Sequence, residues 1–249
     1  MSRSPILITV PLSHFCEKAR WALDHAGVEY REEPHAPLLS RFATRRAAGG
    51  SVPVLIHGDE LLIDSTDILV HIDALRGGDW LYPREAVARS EVDALEEIFD
   101  TQLGPHARRW IYAQLLPDKR LVRSLWARGV PRSEARLVPL IAPLARYFVR
   151  KGYRVTPGSA ERSLDRVNAI FKDVGDRLAD GREYLVAGRF TAADLTFASL
   201  AAPLLLPAEC RATQPSLDDL PTAMREQVLR LHETAAGRFA LRLFAEKRR

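Results

Sequence analysis

Strand-like and helix-like runs alternate through the first 75 residues, and after Gly77-Gly78 no convincing strand pattern returns. Residues 6–10 read as an apolar strand. Residues 15–26 carry Phe15, Ala19, Ala22, Leu23 and Ala26 along one helical side, and Gly27 follows as a stop. Residues 28–33 read as a second strand, and residues 40–48 as a basic helix ended by Gly49-Gly50. Residues 52–57, the turn pair Gly58-Asp59 and residues 60–63 form a hairpin pattern. Ser65 then reads as the cap of a helix running to about 75, with Ile68, Leu69 and Ile72 as its stripe. A strand–helix–strand opening requires a parallel crossover and a hairpin adds antiparallel strands, so the sheet is expected to be mixed.

The remainder reads as helical. Gly77-Gly78 and Pro83 divide the chain into a unit at 1–77, a linker at 78–88 and an all-helical unit at 89–249. Val92, Leu95, Ile98, Phe99 and Leu103 keep helical spacing, as do Leu164, Val167, Phe171, Val174 and Leu178. Further helices are expected near 192–206, 222–236 and 238–247. Prolines at 117, 131, 139, 143 and 157 predict short helices and bends over 115–158.

With 249 residues, 47% of them hydrophobic, the chain can bury one large core or two modest ones. No run approaches the roughly 20 apolar residues of a membrane span, and the N-terminus enters a strand without a secretory pattern, so a cytoplasmic protein is expected. Two cysteines are too few for a disulfide framework or a cysteine-rich zinc site, and no metal is expected. Charge is uneven: residues 1–77 hold 8 Lys/Arg and 10 Asp/Glu, whereas residues 105–154 hold 12 and 2. A basic middle segment suggests either a solvated face or an anionic neighbour. Nothing resembling a nucleic-acid motif accompanies it.

The chemistry-bearing stretch is Ser13-His14-Phe15-Cys16, directly between the first strand and the first helix. A helix N-terminus offers unpaired N–H groups and a partial positive charge, which lower the pKa of a thiol held against them. A hydroxyl at Ser13 can donate to the thiolate of a ligand, and Cys16 can react itself if its sulfur faces that ligand. Cys16 can equally be a packing residue. Thr191 and Asp194 form an S/T-x-x-D capping box, with Phe190 placed to staple against Leu195.

Four local features together resemble the cytosolic glutathione transferases. Ser13-His14-Phe15-Cys16 with Lys18-Ala19-Arg20 is similar to the active-site loop of that family's serine and cysteine classes. Val52-Pro53-Val54-Leu55 is similar to its Val-Pro-x-Leu, whose proline is cis. Asp64-Ser65-Thr66 with Ile68, and Phe190-Thr191-Ala192-Ala193-Asp194, match two further motifs.

The resemblance implies a thioredoxin-like α/β first domain (βαβ-α-ββ-α, four-stranded mixed sheet) and an all-α second domain. It implies glutathione as co-substrate, bound by Ser13, Phe15, Arg41, Val52, Pro53, Asp64 and Ser65. The Val52 main chain would take the cysteinyl backbone, Ser65 the γ-glutamyl carboxylate and Asp64 the γ-glutamyl ammonium. Arg41, Arg45 or Arg46 would take the glycine carboxylate, Arg41 first. Leu103, His106, Trp110 and Tyr112 would line the pocket for a small hydrophobic or acidic electrophile. The implied activity is a detoxifying glutathione S-transferase, a homodimer, with Ser13 activating the thiol. The alternatives are thiol–disulfide exchange through Cys16 and a non-catalytic binding protein of the same fold.

Overall fold

The computed structural model describes residues 4–45 and 50–248. Four strands, β1 (Ile6–Thr9), β2 (Arg31–Pro34), β3 (Val54–His57) and β4 (Glu60–Leu62), form one sheet in the order β2-β1-β3-β4. β1 and β2 are parallel, with Ile6 opposite Arg31; β1–β3 and β3–β4 are antiparallel, with Leu7 opposite Leu55 and Leu55 opposite Leu62. The sheet is mixed, as the alternation requires. Neighbouring strand residues point to opposite faces. Leu7 and Leu55 therefore pack with Ala19, Leu23, Ile68 and Ile72 of helices α1 (His14–His25) and α3 (Ser65–Leu75), while Ile8 and Val54 pack on the other face. Helix α2 (Ser40–Thr44) lies on that second face, where Ala43 joins the Ile8–Val54 cluster.

Several expected bounds shift. β2 starts at Arg31 rather than 28. Helix α3 is capped by Asp64, whose carboxylate accepts from Thr66 N at 2.8 Å, so Ser65 is the first helical residue and not the cap. Helix α4 (Ala86–Ile98) opens inside the stretch expected as linker, because the Glu85 carboxylate accepts from Val87 N and Ala88 N. The preceding turn is organised by Asp73, which accepts from Trp80, Leu81 and Tyr82 N.

Past α4 the helix continues through a wide π turn at Phe99–Leu103 into α5 (Gly104–Leu115). Then come α6 (Lys119–Ala127), α7 (Arg132–Gly152), α8 (Pro157–Arg177), α9 (Ala192–Leu205), α10 (Thr222–His232) and α11 (Ala235–Lys247). The expected short helices of 115–158 are overturned by α7, which runs 21 residues through Pro139 and Pro143. Both prolines lie on the exposed side. Each frees one carbonyl four residues back, and water can take it up there. Pro157 does not interrupt either; it occupies the first turn of α8 behind the Thr156 cap.

Helix α9 is apolar on every side and almost wholly buried, the signature of a central helix. It is surrounded by α1, α4, α5 and α11, and Phe197 on it meets Phe99, Phe171 and Phe239. Its N-terminus carries the expected capping box. The buried Asp194 carboxylate accepts from Thr191 N and Oγ1 and from Leu185 N, and burial pushes its carboxyl up to about 6. Phe190 reaches the first domain, 5.2 Å from the His25 ring and 6.1 Å from Trp21.

The seam between the two domains is built from charge. Lys18 Nζ, with no exposed side-chain surface, lies 2.8 Å from Glu96 and 2.7 Å from Asp100, and donates to Thr66 Oγ1 at 3.0 Å. Tyr82 donates to the second Glu96 oxygen at 2.8 Å. Within the first domain Arg20 bridges Glu17 and Glu32, and from the end of the chain Arg248 crosses the seam to bridge Glu17 and Asp24. At the other end of the seam Glu134, in the first turn of α7, meets His35 Nδ1 at 2.6 Å and accepts from Ala36 N at 2.7 Å.

Candidate functional site

Ser13 closes the β1–α1 loop. Its N–H donates to Val10 O at 2.9 Å, and its Oγ caps α1 by accepting from Cys16 N at 3.3 Å. The cap uses a lone pair of the oxygen and not its proton; the hydroxyl rotor reaches Cys16 Sγ on one side and the cleft on the other, at the positive end of a 12-residue helix. Cys16 is fully buried, and burial pushes its thiol up, away from the thiolate. Cys210, the other cysteine, is also free.

His14 is buried, its Nε2 donating to Gly104 O at 3.2 Å, a carbonyl that can only accept. Burial first, and the nearby Arg108 charge second, lower its pKa to about 3, so the ring is neutral. Phe15 wedges under the start of α5 so closely that a Cβ on Gly104 would fall 2.6 Å from the ring. Glycine there is a condition of the loop meeting the second domain.

A cleft of about 410 Å3 opens at Ser13. One wall carries Ser13, His14, Leu38, Arg41 and Val52; the other carries Arg108, Ile111, Tyr112 and Leu115 from α5, and Phe148, Val149 and Tyr153 from α7 and its end. No carboxylate lines it among the described residues, and its two charged side chains are Arg41 and Arg108. The Val52–Pro53 bond is cis. Pro53 is buried behind Val52, and Asp64 and Ser65 stand at the start of α3, outside the cleft lining. Arg45 is exposed, its guanidinium 5.0 Å from the Phe42 ring, and Arg46 lies outside the described residues.

The far wall departs from expectation. Of Leu103, His106, Trp110 and Tyr112, the cleft lining includes Tyr112 alone. Leu103 is fully buried in the core. His106 faces Ser163 of α8 at 3.2 Å. Trp110 turns to the opposite side of α5, into a second hollow of about 850 Å3 bounded by α7, α8 and α10. The π turn is the cause. A wider turn rotates everything after it, so a face extrapolated from α4 misses the cleft. The stripe that does face it is Arg108, Ile111, Tyr112 and Leu115, at helical spacings of three, one and three. That spacing was visible in the sequence, but with an arginine at its head it did not read as one apolar face.

Among the described residues no group of His, Cys, Asp and Glu side chains could hold a metal ion, and no helix is long and apolar enough to cross a membrane.

Residues 7–80 match the family model of the glutathione S-transferase N-terminal domain. No curated protein matches the sequence at a significant level. Among solved structures, beta-etherase LigF from Sphingobium sp. strain SYK-6 aligns with a TM-score of 0.63 at 17% identity, covering 96% of this chain and 99% of its own. Glutathione transferase F7 from Populus trichocarpa gives 0.59 at 13%, covering 98% and 99%. The theta class glutathione S-transferase from Xanthomonas axonopodis pv. citri, solved with glutathione bound, gives 0.58 at 18%, covering 97% and 98%. At such identities the likeness is one of fold.

Proposed function

We propose that this protein, whose residues 7–80 match the family model of the glutathione S-transferase N-terminal domain, is a glutathione transferase in which Ser13 activates the thiol. The observation that carries the reading is the pairing at the head of α1. The Ser13 hydroxyl opens on the cleft, while the Cys16 thiol is sealed beneath it.

Glutathione supplies the nucleophilic sulfur. The residues around the cleft fit it: Val52 offers main-chain groups to the cysteinyl backbone, and Arg41 offers a guanidinium fork to the glycine carboxylate. Ser65, at the positive end of α3, suits the γ-glutamyl carboxylate. The exposed Asp64 keeps one carboxylate oxygen beyond its cap for the ammonium. A hydroxyl donating to sulfur favours the ionised form. The thiol proton passes to solvent, the sulfur forms a bond to the electrophilic carbon, and the leaving group departs with its electron pair. Ser13 keeps its own proton throughout. A second copy of the chain belongs to this reading; Leu61, Ile63 and Val70 leave apolar surface exposed on β4, α3 and the turn between them.

Ser13→Ala is expected to abolish the thiolate absorption of bound glutathione at neutral pH and to lower kcat/KM for conjugation about 100-fold, as loss of one donor to a developing charge does. Cys16→Ser serves as the contrast. If Ser13→Ala conjugates at the native rate and activity falls only in Cys16→Ser, the assignment to serine is wrong.

A further inference from the structure

We propose that the second substrate carries a carboxylate, and that Arg108 selects it. The inference rests on the glutathione-transferase reading and names the substrate class of that site's far wall.

Arg108 stands in the middle of α5 and lines the cleft. Its guanidinium lies 4.1 Å from the Tyr153 ring centroid and 5.7 Å from that of Phe15. Its Nε is buried and has no hydrogen-bond partner. Among the described residues no carboxylate pairs with it, whereas Arg20, Arg211 and Arg248 each meet one within 2.8 Å. Arginine keeps its charge at every relevant pH, and a buried donor without an acceptor costs stability. A cation retained on those terms, in a cleft without acids, is matched to an anion that arrives with the ligand. Stacking on Tyr153 orders the planar fork before binding, which lessens what is lost on pairing with a carboxylate. Beside it Ile111, Tyr112, Leu115 and Phe148 offer an apolar body site. An aryl or short alkyl electrophile bearing a carboxylate fits both halves.

A carboxylate could also come from the glycine end of glutathione. Arg41 already stands on the wall with Ser13 and Val52 for that group, so the assignment here is to the second substrate, and the two sources separate in kinetics. The probes are a chloronitrobenzoate, with the nitro group ortho to chlorine, and its methyl ester. In either, the glutathione sulfur bonds to the ring carbon and chloride leaves.

With each rate divided by its uncatalysed counterpart, native protein should prefer the benzoate at least tenfold in kcat/KM. Arg108→Met should collapse that ratio toward one, and Arg108→Lys should recover part of it. A native ratio near one, or a ratio unchanged in Arg108→Met, overturns the proposal. So does a rise in KM for glutathione that is equal with both electrophiles, which would give Arg108 to the tripeptide. Calorimetric binding of the benzoate and the ester to native protein and Arg108→Met is measured alongside. If neither probe is turned over, the Ser13 reading fails on its own, and the binding difference still decides Arg108.

Discussion

The seam between the domains and the cleft beside it both carry cationic side chains, and they treat them oppositely. At the seam Lys18 is sealed among Glu96, Asp100 and Thr66, and Tyr82 takes up the remaining Glu96 oxygen. In the cleft Arg41 and Arg108 stand with no acid between them among the described residues. Where charges close on one another, they fix geometry and leave nothing for a ligand. Where they stay open they are left for a ligand, and at Arg108, whose Nε is buried without a partner, the fold accepts a desolvation cost that a ligand can relieve. The Lys18-Ala19-Arg20 stretch follows directly from the loop that carries Ser13, yet both its cations belong to the closed kind.

The largest effect that could break this contrast is at Lys18. Lys18→Met leaves Glu96 and Asp100 as uncompensated buried carboxylates, and should cost about 3–5 kcal/mol in urea denaturation. The deficit should shrink at acid pH, where Asp100, whose carboxyl burial already pushes up, takes up a proton. Arg108→Met removes stacking on Tyr153 but strands no acid, and should cost less than about 1 kcal/mol. Equal losses would mean that the cleft arginine is scaffolding too.

A middle-sized test lies on the second domain's own cap. Asp194→Ala leaves the buried N–H groups of Leu185 and Thr191 without an acceptor, for about 1–3 kcal/mol. Its folded fraction should bind glutathione with native affinity, since Asp194 shares no contact with the cleft. A fully folded variant that fails to bind would show that the cap of α9 shapes the site, and the division between closed and open regions would fall.

The legible parts were those in which one short stretch contains its own reason. Alternation in β1–β4 announced a mixed sheet, and the Thr191–Asp194 spacing announced a cap that is present. What stayed hidden depends on distant partners or on accumulated phase. Lys18 meets Asp100 across 82 positions, and no local pattern pairs them. The π turn at Phe99–Leu103 turned Trp110 away from the cleft and Arg108 into it. Pro139 and Pro143 read as breaks because local propensity counts the lost hydrogen bonds. Their placement on one solvent-facing side of α7, where water replaces those bonds, is a property of the packed molecule.

The last expected effect is a slope, small over any one pH unit, and it tests the boundary at which the two regions touch. His14 lines the cleft yet is buried and bonded to Gly104 O at the seam. Its native pKa is near 3, lowered chiefly by burial and then by Arg108, whereas in the unfolded chain it titrates near 6.5. Between those values the unfolded state holds the extra proton, so stability falls as pH drops, by at most about 1.4 kcal/mol per pH unit from this one group. His14→Phe should flatten the stability profile below pH 6 by close to one proton, with the carboxylate contributions common to both proteins cancelling. In a protein that keeps His14, Arg108→Met alone removes the second cause of the depression, so its slope should flatten at a higher pH than it does with Arg108 present. Parallel profiles for native protein and His14→Phe would place His14 in water, on the open side of the boundary.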